Sequence, residues 1–226
     1  MSVLASAIDP LPSEVIKRRA VYGAELGVLA GIYDEDTNIA IWQRELPEDL
    51  HNAASLILVT KPSLGLSVTV SPQNAYEVVS GVLGAKKQFK PLIEDMARLV
   101  DMFCCLFDSD CVGLRLTSLR HAMCPRFHVD NVPCRLVTTY CGDSTQWLSN
   151  NCIDRSKLGP GSGGVPDEQS GLLSKKREVK ELRIGEIALL KGEGWAGNEG
   201  GGLVHRSPTP KNNLRRLLLT LDLMNS

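Results

Sequence analysis

After Asp110 the chain breaks into short, β-rich runs separated by turn residues, and this pattern narrows its fold more than any other feature. The runs are VGLRLTSL (112–119), RFHVD (126–130), CRLVTTYC (134–141), VKELRI (179–184), IALLKG (187–192), GLVHRS (202–207) and RLLLTLDL (216–223). Short strands with Gly and Pro between them predict a barrel or jelly roll. The glycine-rich stretch LGPGSGGVPDEQSG (158–171) reads as a flexible insertion within it. Before residue 110 the texture differs. Helical spacing predicts helices over 13–32, 47–59, 74–83 and 91–106, with short strands at 38–42 and 66–70. Pro91, with Glu94 and Asp95 behind it, suits a helix start. The expected fold class is therefore α+β: residues 1–110 form a mainly helical part packed on a β core of residues 111–226.

Charge excludes some functions. With 25 Lys plus Arg against 26 Asp plus Glu, the net charge of −1 offers no footprint for nucleic acid or anionic lipid. The apolar runs are too short to cross a bilayer. MSVLASAIDPLPSEVIKRR lacks the basic start and apolar stretch of a signal peptide. Seven cysteines without a Cys-x-x-Cys pair predict reduced thiols in a cytoplasmic protein and argue against a zinc ribbon. Any imidazole chemistry must draw on His51, His121, His128 or His205.

The segment CPRFHVDNVPCRLVTTY (124–140) carries the most chemistry. On a strand, His128 and Asp130 share a face with Cα atoms roughly 6.6 Å apart. An imidazole and a carboxylate at that spacing can converge on one ion, although the triplet alone reads more readily as an exposed or edge-strand pair. His205 and the following Arg215 and Arg216 strengthen the first reading, because a closed barrel can bring both ends of the series together. Two His and one Asp leave three positions open on Fe(II). A nearby cation offers a seat for the remote carboxylate of a keto acid.

At this point the sequence resembles known proteins. HVDNVPCRLVTTYCG is similar to the His-x-Asp strand and the following Arg-x-x-Thr strand of the prolyl-hydroxylase-like Fe(II)/2-oxoglutarate dioxygenases. GEIALLKGEGW and LVHRSPTPKNNLRRLLLTL resemble their Gly-Asp-like turn, distal-His strand and final Arg strand. The likeness spans about residues 112–223. The whole chain, through CPRFHVD and HRSP, also resembles a bacterial family known as a domain of unknown function. The first resemblance implies a double-stranded β-helix, jelly-roll or cupin-like, with His128, Asp130 and His205 as iron ligands. It implies 2-oxoglutarate as cosubstrate, clamped by Arg216. Strand alternation puts Arg216, Leu218 and Thr220 on one face and turns Arg215 outward. Thr138 and Tyr140, sharing a face of the preceding strand, are the expected hydrogen-bond partners of the cosubstrate, with Thr220. Glu186 stands where that family has Asp in the turn, and its Arg-x-Ser pair is absent.

Plainer readings stand beside these. Cys124, Cys134 and Cys141 near the triad allow a zinc site such as Cys124–His128–Asp130–His205, yet buried cysteines are more often core residues. Cys104, Cys105 and Cys111 read as helix packing. His121 and His51 read as structural and solvated. Trp195 is either a lid or the anchor of its glycine-rich loop, and Asn198 and Glu199 share that ambiguity. Arg135 is expected to pair with a structural carboxylate. Lys175, Lys176 and Arg177 read as a solvated face. Three functions remain open: an Fe(II)/2-oxoglutarate oxygenase acting on a small-molecule or protein substrate, a non-redox zinc-binding protein in metal homeostasis, and a metal-free small-molecule-binding barrel.

Overall fold

The computed structural model describes residues 17–173, 179–210 and 214–224, so the start of the chain and the Lys175–Arg177 cluster lie outside the described residues. Among the described residues, ten strands and three α-helices follow in the order β1 (Arg19–Gly23), β2 (Thr37–Trp42), α1 (Glu48–Thr60), β3 (Gly65–Val70), α2 (Ala75–Leu83), α3 (Lys90–Phe107), β4 (Val112–Leu119), β5 (Cys134–Cys141), β6 (Gln146–Leu148), β7 (Val179–Glu181), β8 (Ile187–Lys191), β9 (His205–Arg206) and β10 (Arg216–Leu223). They build a large sheet, β1-β2-β8-β5-β10-β4-β3, and a small one, β7-β6-β9. From β4 onward the chain passes back and forth between the two.

The helices cover one face of the large sheet. In α3, Leu92, Ile93, Met96, Leu99, Val100 and Phe103 are buried at helical spacing. They share a core with Ala54 and Ile57 of α1 and with Leu136, Leu189, Leu217, Leu219 and Leu221 of the sheet. Each such side chain contributes about 1.5–3 kcal/mol. α3 ends where Asp108 takes a left-handed conformation (φ 48°) and its N–H bonds Cys104 O. The opposite face packs on the small sheet, with Ile39, Ile41, Val137, Ala188, Leu190 and Leu218 meeting Trp147, Leu182 and Leu203. Among the described residues no helix is long and apolar enough to cross a membrane.

Three expectations change. The described part of the helix expected over 13–32 is instead β1 followed by a 3-10 turn, Leu26–Tyr33. Leu26, Leu29 and Ile32 recur every three residues, the period of a 3-10 turn, and Gly31 passes so close to β1 that a Cβ there would lie 3.1 Å from Val21 Cγ2. The N-terminal part also gives β1, β2 and β3 to the large sheet, so helices and β core share one sheet. The glycine-rich insertion is anchored: its Asp167 accepts the Phe127 N–H at 2.7 Å and the Arg206 guanidinium at 3.4 Å, and Leu172 packs with Phe127, Leu148 and Val204.

Candidate metal centre

RFHVD forms almost no strand. It is held by a bridge in which His128 and His205 exchange backbone hydrogen bonds, N to O, of 3.0 and 2.9 Å. That bridge places the two imidazoles side by side, ring centroids 4.6 Å apart. Asp130 completes the group: His205 Nε2 lies 3.4 Å from its Oδ2 and His128 Nε2 3.9 Å from its Oδ1. One donor atom from each residue falls within 4.8 Å of the other two.

The remaining ring nitrogens fix the tautomers. His128 Nδ1 lies 2.9 Å from Arg126 O and His205 Nδ1 3.1 Å from Leu203 O. A carbonyl only accepts, so each Nδ1 carries a hydrogen, and in the neutral ring Nε2 then offers a lone pair. Burial pushes the His205 pKa down to about 4, more than the Asp130 charge raises it, so the ring is neutral at pH 7. In their neutral forms both rings then turn an Nε2 lone pair toward the carboxylate, which fits a divalent cation held by all three. Backbone carbonyls on the far ring nitrogens are the usual orienting partners of such ligands.

Two features position Asp130. Arg135 Nη1 donates to Oδ2 at 2.7 Å, while Arg135 Nε and Nη2 hold Asp222 at 2.6 and 3.0 Å. Asp130 O accepts the Glu193 N–H at 2.8 Å. The loop carrying Glu193 packs so closely that a Cβ on Gly192 would collide with Val132 O and lie 2.7 Å from Asp130 O. Glu193 also takes Arg155 Nη2 at 3.0 Å and the Gly202 N–H at 3.1 Å, tying this loop to the approach to His205.

Arg216 lies on the same face as Leu218 and Thr220 and is 2% exposed. Its guanidinium donates to hydroxyls: Thr139 at 3.0 and 3.3 Å, Thr145 at 2.6 Å and Ser207 at 3.5 Å. Burial lowers its pKa to about 10, partly offset by Glu181 and Asp143. Thr145, Ser207 and Thr220 line a cavity that also reaches His128 and His205, with Val137, Leu190 and Leu218 as apolar wall. Arg215 turns the other way, onto Pro62 O.

Thr138 and Tyr140 do not reach this cavity. The Tyr140 hydroxyl donates to Asp95 Oδ2 at 2.7 Å, within a buried group that Arg44 completes from the helix side. Thr138 shares that face by alternation, and among the described residues its buried hydroxyl has no partner. Alternation pairs residues on a face but does not say which face looks inward; Thr139, with Arg135 and Val137, is on the cavity side. Arg135 does pair with carboxylates, one of them Asp130 itself. Among the described residues the ligand cluster contains no cysteine; Cys124 is exposed at the cavity wall, and Cys134 and Cys141 are buried. Trp195 anchors its loop, packing edge-on against Tyr33 and Phe107 at 5.4 and 6.1 Å, with Lys191 Nζ 4.7 Å above its ring. Buried Asn198 braces the same loop through Gly192 O and Arg18, and Glu199 caps the Gly197 N–H. His51 and His121 are exposed.

A family model described as "Protein of unknown function (DUF1826)" matches residues 23–222. No curated protein matches the sequence. Among solved structures, the dioxygenase for auxin oxidation from rice superposes with a TM-score of 0.52 at 10% identity, covering 92% of this chain and 83% of that one. The dioxygenase for auxin oxidation 1 from Arabidopsis thaliana, in its 2-oxoglutarate complex, gives 0.49 at 10% identity over 92% and 93%. The likeness to the rice enzyme is one of fold.

Proposed function

This chain belongs to the DUF1826 family, and we propose that it is an Fe(II)- and 2-oxoglutarate-dependent oxygenase acting on a small-molecule or protein substrate. The observation that carries this is the convergence of His128 Nε2, His205 Nε2 and the Asp130 carboxylate on one another, beside a cavity lined by both imidazoles and by Thr145 and Ser207 hydroxyls that are bonded to a buried guanidinium. The alternation of the chain from β4 to β10 between two sheets supports a double-stranded β-helix. The unpaired cysteines suit the cytoplasm.

Bound iron would supply dioxygen activation, and the overall reaction consumes 2-oxoglutarate and yields succinate and carbon dioxide. The chain's own residues do the rest. His128, Asp130 and His205 would hold the ion, and three protein ligands leave further positions for cosubstrate and dioxygen. Arg216, behind the Thr145 and Ser207 hydroxyls of the cavity wall, would take the distal carboxylate, a charge-assisted contact of about 1.5–3 kcal/mol per hydrogen bond. Thr139 and Thr145 orient its fork, and Thr220 adds a hydroxyl to the wall. Val137, Leu190 and Leu218 exclude water. A nitrogen-rich, cysteine-free donor set with open positions suits Fe(II) better than a closed zinc site.

The test is anaerobic titration of the protein with Fe(II) and 2-oxoglutarate. A visible charge-transfer band, followed by succinate release on admitting air, is expected; His128→Ala and Asp130→Ala abolish both. Tight zinc binding with neither band nor succinate would establish the non-redox reading. No metal uptake at all would leave a metal-free binding barrel.

A further inference from the structure

The small sheet covers only part of the large one. It packs on β2, β8, β5, Leu218 of β10 and Leu119 at the end of β4, while among the described residues the same face of β3 and of β4 at Arg115 and Thr117 lies outside that cluster. Ser67 stands directly opposite Arg115, and Arg115 opposite Thr220; Gly65 stands opposite Thr117, and Thr117 opposite Leu218. Directly opposed residues share a face, so Gly65, Ser67, Thr69, Arg115, Thr117 and Thr220 form one shelf. Gly65, Ser67, Thr69 and Arg115 are exposed. Arg115, Thr117 and Thr220 line the cavity of the two histidines, and Met123 and Cys124 form an apolar lip beside it. The shelf is thus the open approach to the metal centre.

Its chemistry is specific. Every shelf side chain is small and neutral except Arg115, whose side chain is 54% exposed. Arg115 donates one bond, from Nη1 to Asp222 Oδ2 at 3.1 Å. Arg135 already holds both oxygens of that carboxylate at 2.6 and 3.0 Å. Arg115 is therefore the looser of two claimants, and among the described residues its Nε and Nη2 make no hydrogen bond. Asp222 steadies one edge of the fork and leaves the other to a ligand. A single guanidinium flanked by hydroxyls matches one planar carboxylate. A nucleic acid needs a row of cations, and the shelf has one.

We propose that the substrate is a small organic acid that docks its carboxylate on Arg115, Thr117 and Thr220 and lays its apolar body toward Met123 and the metal centre. This rests on the oxygenase reading. The balance is that of a hydroxylation: one atom of dioxygen becomes the hydroxyl inserted in a substrate C–H bond, and the other enters succinate. Two electrons come from that C–H bond and two from the oxidative loss of carbon dioxide from 2-oxoglutarate.

The test uses full-length protein loaded with Mn(II), followed by calorimetry. 2-Oxoglutarate is titrated first. Aliphatic and aromatic monocarboxylates, each beside its primary amide, are then titrated into the 2-oxoglutarate complex. At least one acid binds and its amide does not; Arg115→Leu weakens that acid roughly 10- to 100-fold, Arg115→Lys restores part of the loss, and the affinity for 2-oxoglutarate stays the same. The proposal is overturned if no acid binds, if amides bind as well as acids, or if Arg115→Leu weakens 2-oxoglutarate instead, which makes Arg115 the cosubstrate clamp. Binding of Mn(II) and 2-oxoglutarate without acids leaves the oxygenase reading intact. Arg115-dependent acid binding without 2-oxoglutarate binding retires that reading and keeps the docking site.

Discussion

Replacing Arg216 by Met distinguishes a residue kept for a ligand from one kept for the fold. The guanidinium is 2% exposed and its hydrogen-bond acceptors are uncharged hydroxyls. Its pKa of about 10 means that the site disfavours the charged form by about 3 kcal/mol, the net of burial against the attraction of Glu181 and Asp143. Hydrogen bonds to the hydroxyls of Thr139, Thr145 and Ser207 return about 1 kcal/mol each, so the two effects nearly cancel. Arg216→Met should therefore change the unfolding free energy of the ligand-free protein by no more than about 1 kcal/mol, a shift of about 2–4 °C in Tm for a chain of this size. An arginine serving as half of a buried ion pair would cost about 3–5 kcal/mol instead. The cosubstrate tells the other half. Loss of a two-pronged, charge-assisted grip predicts at least about a 100-fold rise in half-saturating 2-oxoglutarate. Arg215→Met should change neither quantity, because among the described residues Arg215 bonds a loop carbonyl, Pro62 O, away from the cavity. Urea unfolding with and without ligand, and titration of the Mn(II)-loaded protein, measure both. A stability loss of 3 kcal/mol or more with an unchanged 2-oxoglutarate requirement would refute the clamp.

Arg135→Gln leaves Asp130 and Asp222 with one cation fewer and should cost about 3–5 kcal/mol in metal-free protein. Mn(II) should narrow that deficit by taking over the Asp130 charge, and equal deficits with and without Mn(II) would displace the metal from Asp130. Because burial lowers His205, the folded protein binds fewer protons than the unfolded chain between about pH 4 and 6.5. Its stabilisation is complete above about pH 6.5 and is lost as pH falls toward 4, by up to about 1.4 kcal/mol per pH unit; urea titrations in chelator should show this slope, and His205→Gln should flatten it. Gly192→Ala drives a methyl group into the carbonyls that carry Asp130. It should weaken Mn(II) binding more than 10-fold, and unaltered affinity would dissociate that loop from the metal centre.

The elements legible in the sequence were those with strong local periodicity. α1, α2, α3, β4, β5, β8 and β10 lie within a few residues of their expected limits, because each buries an apolar stripe that sequence spacing reveals. β6 is three residues long and pairs on both sides, so its existence depends on partners remote in the chain. His128, Asp130 and His205 were readable as donor types, and their convergence is a property of the bridge between two short segments. Arg135 could be foreseen as a carboxylate partner but not as the partner of Asp130. The choice of Thr138 and Tyr140 over Thr139 failed because alternation carries no sign. The pairing of β5 with β10 shifts register between Leu217 and Leu218, and no local pattern announces that shift.

The position of β2 decides how this protein can be engineered. It lies between β1 and β8, and four of its residues pair with β8. Trimming the molecule back to residues 111–226 would strip β8 of its neighbour and bare the backs of Leu136, Leu189, Leu217 and Leu219. Such a fragment, although it keeps every proposed ligand, would offer a sticky open edge to its own copies and is expected to precipitate rather than bind metal.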